Sequence, residues 1–147
     1  MQITTDQKGK GAELIVFGKL IRKGVDLYLP IVDIGIDAII KKKDGNYLQI
    51  QVKSTEADEQ AGCFNVCDLE LYEGKGLFVV CVDMSKGTPE IWVLPSDVFM
   101  KHANVSKLKK GWNNYYLDID SKDTKHGNET RRNLLKEYLG AWELLTG

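Results

Sequence analysis

Glu13, Asp37, Gln51 and Lys53 bring two carboxylates, an amide and an ammonium into stretches that otherwise read as apolar. Three of them flank the turn Asp44-Gly45-Asn46: Asp37 opens the run Ala38-Ile39-Ile40, and Gln51-Val52-Lys53 ends the next run. Apolar runs joined by residues that tolerate left-handed backbone form a hairpin, and this one would set Asp37 beside Gln51–Lys53. Alternation places Gln51 and Lys53 on one face and turns Ile50 and Val52 into the core. An Asp opening a strand is ordinarily a solvated cap, and a Lys ending one ordinarily snorkels, so neither marks a site alone.

Glu13 supplies the reason to take them together. Thr4, Thr5 or Asp6 can cap a helix that runs to about Lys23 and stops at Gly24. At about 100° per residue, Leu14, Val16, Phe17, Leu20 and Ile21 define its apolar face, with Glu13 near the centre and Lys8, Lys19, Arg22 and Lys23 opposite. A carboxylate buried there needs a partner, because an unpaired buried charge is costly; Lys53 or a metal ion would serve. If Glu13 reaches solvent from the first turns of the helix, no partner is required.

The remaining elements must position this set. Strands are expected near Val25–Leu29, Ile36–Lys42 and Tyr47–Lys53 as sequential neighbours, then a polar stretch Ser54–Gln60 and a short helix at Cys67–Gly74. Leu77–Val82 reads as a central strand buried on both faces, and Glu90–Leu94 as a further strand. Ser96 is the expected cap of a helix over Asp97–His102, Tyr115–Ile119 an edge strand, and Glu129–Leu145 a closing helix. Along that last helix Leu135, Tyr138, Trp142 and Leu145 form a stripe, with core packing and a homodimer interface as its two readings.

At 147 residues and 43% hydrophobic content, residues 1–147 are expected to form a single domain, soluble and cytoplasmic, with no membrane-spanning run. The three cysteines lack paired zinc-ligand spacing and read as buried thiols, which argues against a Cys/His zinc site with His102 and His126. Net charge is −1, yet both ends of the chain are basic and residues 54–100 are acidic. A polyanion is compatible with the basic ends, as are ordinary solvated lysines, including the run Lys41-Lys42-Lys43. Trp112, Asn113, Asn114, Tyr115 and Tyr116 are candidates for base stacking or for packing on a sheet.

In order, Glu13 in a first helix, Asp37 at a strand start and Gln51-x-Lys53 on the next strand resemble the PD-(D/E)XK nuclease superfamily. The text from Lys8 to Glu13, with Leu20 and Gly24, is similar to the start of archaeal Holliday-junction resolvases and related small bacterial endonucleases. Pro30 to Asp37 followed by Gln51-Val52-Lys53-Ser54 resembles the branch with Gln in place of the acidic residue, as in some group I intron homing endonucleases. The resemblance covers residues 8–54. It implies an α/β, restriction-endonuclease-like αβββαβ core, a central mixed sheet flanked by helices, and metal-dependent hydrolysis of phosphodiester bonds in DNA.

The implied cofactor is Mg²⁺ or Mn²⁺, with Asp37 as principal ligand, Gln51 through its amide oxygen, Val52 through its backbone carbonyl, and Glu13 at a second ion or a nearby water. Lys53 would assist the attacking water or stabilise developing charge; nearby carboxylates oppose a neutral lysine base, which favours the electrostatic role. Lys8, Lys10 and Ser54 are the implied contacts to nucleic acid. Gln51 leaves two formal charges where three are usual, which should weaken metal affinity; Asp33 is a rival for the role of Asp37. The alternatives are a non-catalytic nucleic-acid-binding module with a degenerate site, and an interaction protein using the acidic middle.

Overall fold

A computed structural model describes residues 1–32 and 34–147 of the chain; Asp33, the rival to Asp37, lies outside the described residues. The first helix, α1, spans Thr5–Arg22. Its start is a reciprocal capping box: the Gln7 N–H donates to Thr4 Oγ1 at 3.2 Å, and the Thr4 N–H donates to Gln7 Oε1 at 2.8 Å. Thr4→Ala is expected to lower stability by about 1 kcal/mol, read as a lower urea midpoint at unchanged slope. The buried stripe is Ala12-Val16-Leu20 with Phe17, whereas Leu14 and Ile21, expected on that face, are exposed. The face has rotated because the small Ala12 packs inward with Val16 and Leu20, four residues apart, putting Leu14 and Ile21 on the flanks.

Strands β1 (Asp26–Tyr28), β2 (Ala38–Lys41) and β3 (Tyr47–Thr55) are sequential antiparallel neighbours. The β2–β3 turn has Gly45 at φ +89°, a conformation that costs an L side chain strain, and Asp44 Oδ1 accepts the Asn46 N–H at 2.9 Å. From β3 the chain passes through a 3₁₀ turn at Asp58–Gln60, strand β4 (Cys63–Cys67) and a second 3₁₀ turn at Leu69–Tyr72 before β5 (Leu77–Asp83), which lies parallel to β3. The helix expected at Cys67–Gly74 is thus only that second turn. Cys67 ends a strand that pairs elsewhere, and the crossover needed to bring parallel strands together is made largely of other structure. Strand β6 (Glu90–Pro95) completes a mixed sheet in the order β1-β2-β3-β5-β6.

Helix α2 (Ser96–His102) follows directly. Pro95, not Ser96, occupies its cap position, and no side chain caps it; Ser96 is the first helical residue and is buried. Strands β7 (Asn104–Lys107) and β8 (Asn113–Asp118) form with β4 a second sheet, ordered β4-β8-β7. The segment expected at an edge, Tyr115–Ile119, therefore supplies most of a central strand. Two-residue strands β9 (Lys122–Asp123) and β10 (Glu129–Thr130) make a small hairpin.

The closing helix expected over Glu129–Leu145 is broken into α3 (Arg131–Leu134), a 3₁₀ turn at Lys136–Tyr138 and α4 (Glu143–Thr146). Gly140 at φ +64° redirects the chain, its N–H donates to the Ile91 carbonyl at 2.8 Å, and Leu139 bridges to Trp92. Of the apolar stripe, Leu135 and Leu145 are fully buried in different clusters, and Tyr138 and Trp142 pack partly buried against them, which supports the packing reading.

Both faces of the main sheet are covered. Ile50, Val52, Val80, Val82 and Val93 face α1, and Leu77, Val79, Cys81, Trp92 and Leu94 face α2 and the second sheet. This is the expected burial of β5 on both sides. Of the three cysteines only Cys81 is buried; Cys63 is half-buried and Cys67 exposed, because β4 turns alternate residues outward. No helix among the described residues is long and apolar enough to cross a membrane.

Candidate active site

Asp37 sits one residue before β2, where the sheet loses its neighbour to β3. Its backbone N–H still donates to the Ile50 carbonyl at 2.9 Å, and its Oδ2 accepts the Val52 N–H at 2.6 Å. A strand residue turns its N–H and C=O the same way, so the Val52 carbonyl also faces this open end. The hairpin thereby brings together Asp37 and the Gln51–Lys53 segment, as its alternation implied. Lys53 lies in register with Cys81 on β5, and its charge reaches both the Asp37 carboxyl and the Cys81 thiol.

Glu13 joins from the helix layer. Its side chain is largely buried, at 17% exposure, which decides against the solvent-reaching alternative. It lies close enough to the Asp37 carboxyl to oppose that group's ionisation, and it is paired with Lys10, whose Nζ lies 2.6 Å from Glu13 Oε2. Glu13, Asp37 and Lys10 line a cavity of about 210 Å³ with Phe17, Leu29, Pro30, Ile31 and Ile36. Phe17 stands one turn along α1 from Glu13, a spacing of four that puts an apolar wall beside the carboxylate. The Lys10–Glu13 pair was also available from the sequence as an i, i+3 spacing, but Lys10 had been read only as a contact to nucleic acid.

Burial pushes the Asp37 carboxyl up to about 6 from the usual 3.8. The Val52 N–H and the Lys53 charge oppose that shift, and the adjoining Glu13 carboxyl adds to it. Gln51 completes the set differently: its Oε1 is buried and accepts no hydrogen bond among the described residues, an acceptor left without a partner at substantial cost.

The folded state holds the Asp37 proton more tightly than the unfolded chain does. The contribution of this group to stability is therefore present at low pH and is lost as pH rises from about 4 to about 6. A cation bound there must displace the proton. If Asp37 ligates Mg²⁺, the affinity is expected to fall by up to about tenfold per unit as pH drops below 6 and to level off above it, measured by calorimetric titration from pH 5 to 8.

The residues expected at nucleic acid differ in exposure. Lys8 and Ser54 are half-buried and Lys10 is largely exposed. Within the Lys41–Lys43 run, Lys42 pairs loosely with Asp44 at 3.9 Å. Trp112 is exposed with Lys110 over its ring, whereas Tyr115 is buried and the Tyr116 hydroxyl donates to Cys63 Sγ, which leaves Trp112 as the open aromatic face of that group.

No protein-family model matches the chain, and no curated protein matches it. Among solved structures the chain is similar to a bacterial homing endonuclease, I-Ssp6803I, with TM-score 0.62 and 21% identity, over 97% of this chain and 91% of that one. It is also similar to Hjc, a Holliday junction resolvase from Archaeoglobus fulgidus, with TM-score 0.48 and 16% identity, over 76% of this chain and 84% of that one. The chain shares with the homing endonuclease an α/β fold built on a central mixed sheet flanked by helices.

Proposed function

We propose that the chain is a metal-dependent endonuclease hydrolysing phosphodiester bonds in DNA, a member of the PD-(D/E)XK superfamily in the variant with Gln at the second acidic position. The observation that carries this reading is the Asp37 carboxyl at the open end of β2, bonded to the Val52 N–H, in contact with Glu13 and within reach of the Lys53 charge. The fold agrees with it, being one that a homing endonuclease also uses.

The donor set suits a hard divalent ion such as Mg²⁺ or Mn²⁺: two carboxylates, the buried Gln51 amide oxygen lacking a partner, and the Val52 carbonyl are all oxygen ligands. When bound, such an ion supplies Lewis-acid polarisation of the phosphate and activation of a water. Asp37 would hold it from the residue before β2, and Gln51 and Val52 from β3. Lys53 sets fixed positive charge against the charge developing on the scissile phosphate. Lys10, paired with Glu13 here, would be available to a DNA phosphate were a cation to neutralise that carboxylate, and Lys8 and Ser54 would serve the DNA backbone as well.

The experiment is cleavage of duplex, branched and single-stranded DNA by the purified chain with Mg²⁺ or Mn²⁺ varied. Metal-dependent nicking or cutting of one of these forms supports the reading, and DNA binding with no cleavage in either metal overturns it. The Lys10–Glu13 ion pair favours a second reading, a nucleic-acid-binding module without chemistry, because an ammonium already neutralises one of the two carboxylates. Retained DNA affinity with no divalent-ion binding into the millimolar range would select it.

A further inference from the structure

A second cluster of ligating groups lies apart from Asp37, on the other face of the main sheet. His102 is the last residue of α2, Asp123 ends β9, and His126 stands in the turn between β9 and β10. Asp123 Oδ2 is 2.7 Å from His102 Nδ1 and 2.9 Å from His126 Nδ1, and the two imidazole centroids are 4.8 Å apart. One ligand atom from each residue lies within 4.8 Å of the others.

The surroundings hold these groups in place. Asp123 is 1% exposed; its Oδ1 accepts the Lys125 N–H, and its carbonyl accepts the N–H groups of His126 and Asn128. Gly127 and Asn128 adopt positive φ, which folds the turn so that Asp123 presents His126 to itself. Arg131, also buried, donates to the His102 carbonyl, the Lys122 carbonyl, the Ser121 hydroxyl and the Asn104 amide oxygen, tying the segment that bears His102 to the one that bears Asp123. Burial opposes ionisation of Asp123, and the two imidazoles outweigh it, keeping the carboxyl below its usual range.

Exposure is graded across the cluster, from Asp123 through His102 at 11% to His126 at 31%, so it opens to solvent on the His126 side. Two imidazole nitrogens and one carboxylate oxygen converging from two segments, the end of α2 and the β9–β10 hairpin, with one side open, form the donor set of a borderline first-row ion and not of Mg²⁺, which prefers oxygen alone. We propose that His102, Asp123 and His126 bind a zinc-class divalent ion, with water as the remaining ligand, and that this ion clamps the end of α2 to the β9–β10 hairpin.

The test is calorimetric titration of Zn²⁺ into the intact chain, Asp37→Asn, His126→Ala and His126→Gln, with melting temperature and Co²⁺ absorption followed alongside. Asp37→Asn removes any contribution from the proposed nuclease site. Asp37→Asn is expected to take up one Zn²⁺ per chain at micromolar concentration, and the unsubstituted chain at least one, each with a chelator-reversible rise in melting temperature and visible Co²⁺ bands. The His126 variants should lose that equivalent, by more than the 10- to 100-fold typical of removing an outer partner, and lose the Co²⁺ bands. His126→Gln keeps a polar side chain in the turn should His126→Ala fail to fold. Absence of a stoichiometric site in Asp37→Asn, or a site unmoved by both His126 variants, overturns the proposal.

Discussion

Asp37→Asn is expected to reduce DNA cleavage by at least about 10³-fold while leaving the fold intact. Asn is nearly isosteric and its amide oxygen can still accept the Val52 N–H, so the β2–β3 junction survives. What disappears is the negative charge at the open end of β2, and transition-state charge stabilisation of several kcal/mol corresponds to about three decades of rate. Lys53→Met should cost about 10²- to 10³-fold, the range for removing one preorganised positive group or donor. Single-turnover rates with circular dichroism check both. Asp37→Asn carries a thermodynamic signature as well: it removes a carboxyl that burial disfavours in its charged form, so without metal the variant should be at least as stable as the unsubstituted chain at pH 7. A variant that is both inactive and less stable would assign Asp37 a structural role instead.

Phe99→Ala is the largest stability effect expected, a loss of about 3–5 kcal/mol. Phe99 is fully buried on α2, in the cluster that joins Leu77, Val79 and Trp92 of the main sheet to Tyr115 and Leu117 of the second. A helix of seven residues has little stability of its own, so this ring does much of the work of holding α2 against both sheets. The cluster faces away from α1 and Glu13 and meets the proposed site through Cys81, in register with Lys53; Cys81 belongs to the strand and not to α2, so the variant should keep its cleavage rate per folded molecule while its urea midpoint falls. Loss of activity in proportion greater than the unfolded fraction would mean that the two layers are coupled.

The parts of the fold legible in the sequence were those fixed by local signals. The Thr4 cap, the Asp44-Gly45-Asn46 turn and the alternation of Tyr47–Lys53 each specify their element within a few residues, and they place Asp37, Gln51 and Lys53 at one end of a hairpin. What failed depended on distant partners. Strand β7 is exposed throughout and carries no burial pattern, so only its pairing with β8 defines it. Leu135, Tyr138, Trp142 and Leu145 have helical spacing, but the chain gains more from the Gly140 bond to Ile91 and the Leu139–Trp92 bridge, which draw it onto β6. Glu13 was legible as a buried carboxylate although its helix face was read about a quarter turn off, because Ala12 was not counted as a packing residue. His102 and Asp123 are 21 residues apart and meet only through tertiary structure, which no spacing rule detects.

Diffraction from crystals soaked in Mn²⁺, recorded for the manganese anomalous signal, locates any cation held beside Asp37. An ion is expected at bonding distance from the Asp37 carboxylate and Gln51 Oε1, with Lys10 displaced from Glu13 and Lys53 beside it. A cavity in which Lys10 stays on Glu13 and no manganese signal lies near Asp37, at pH well above 6, would contradict it.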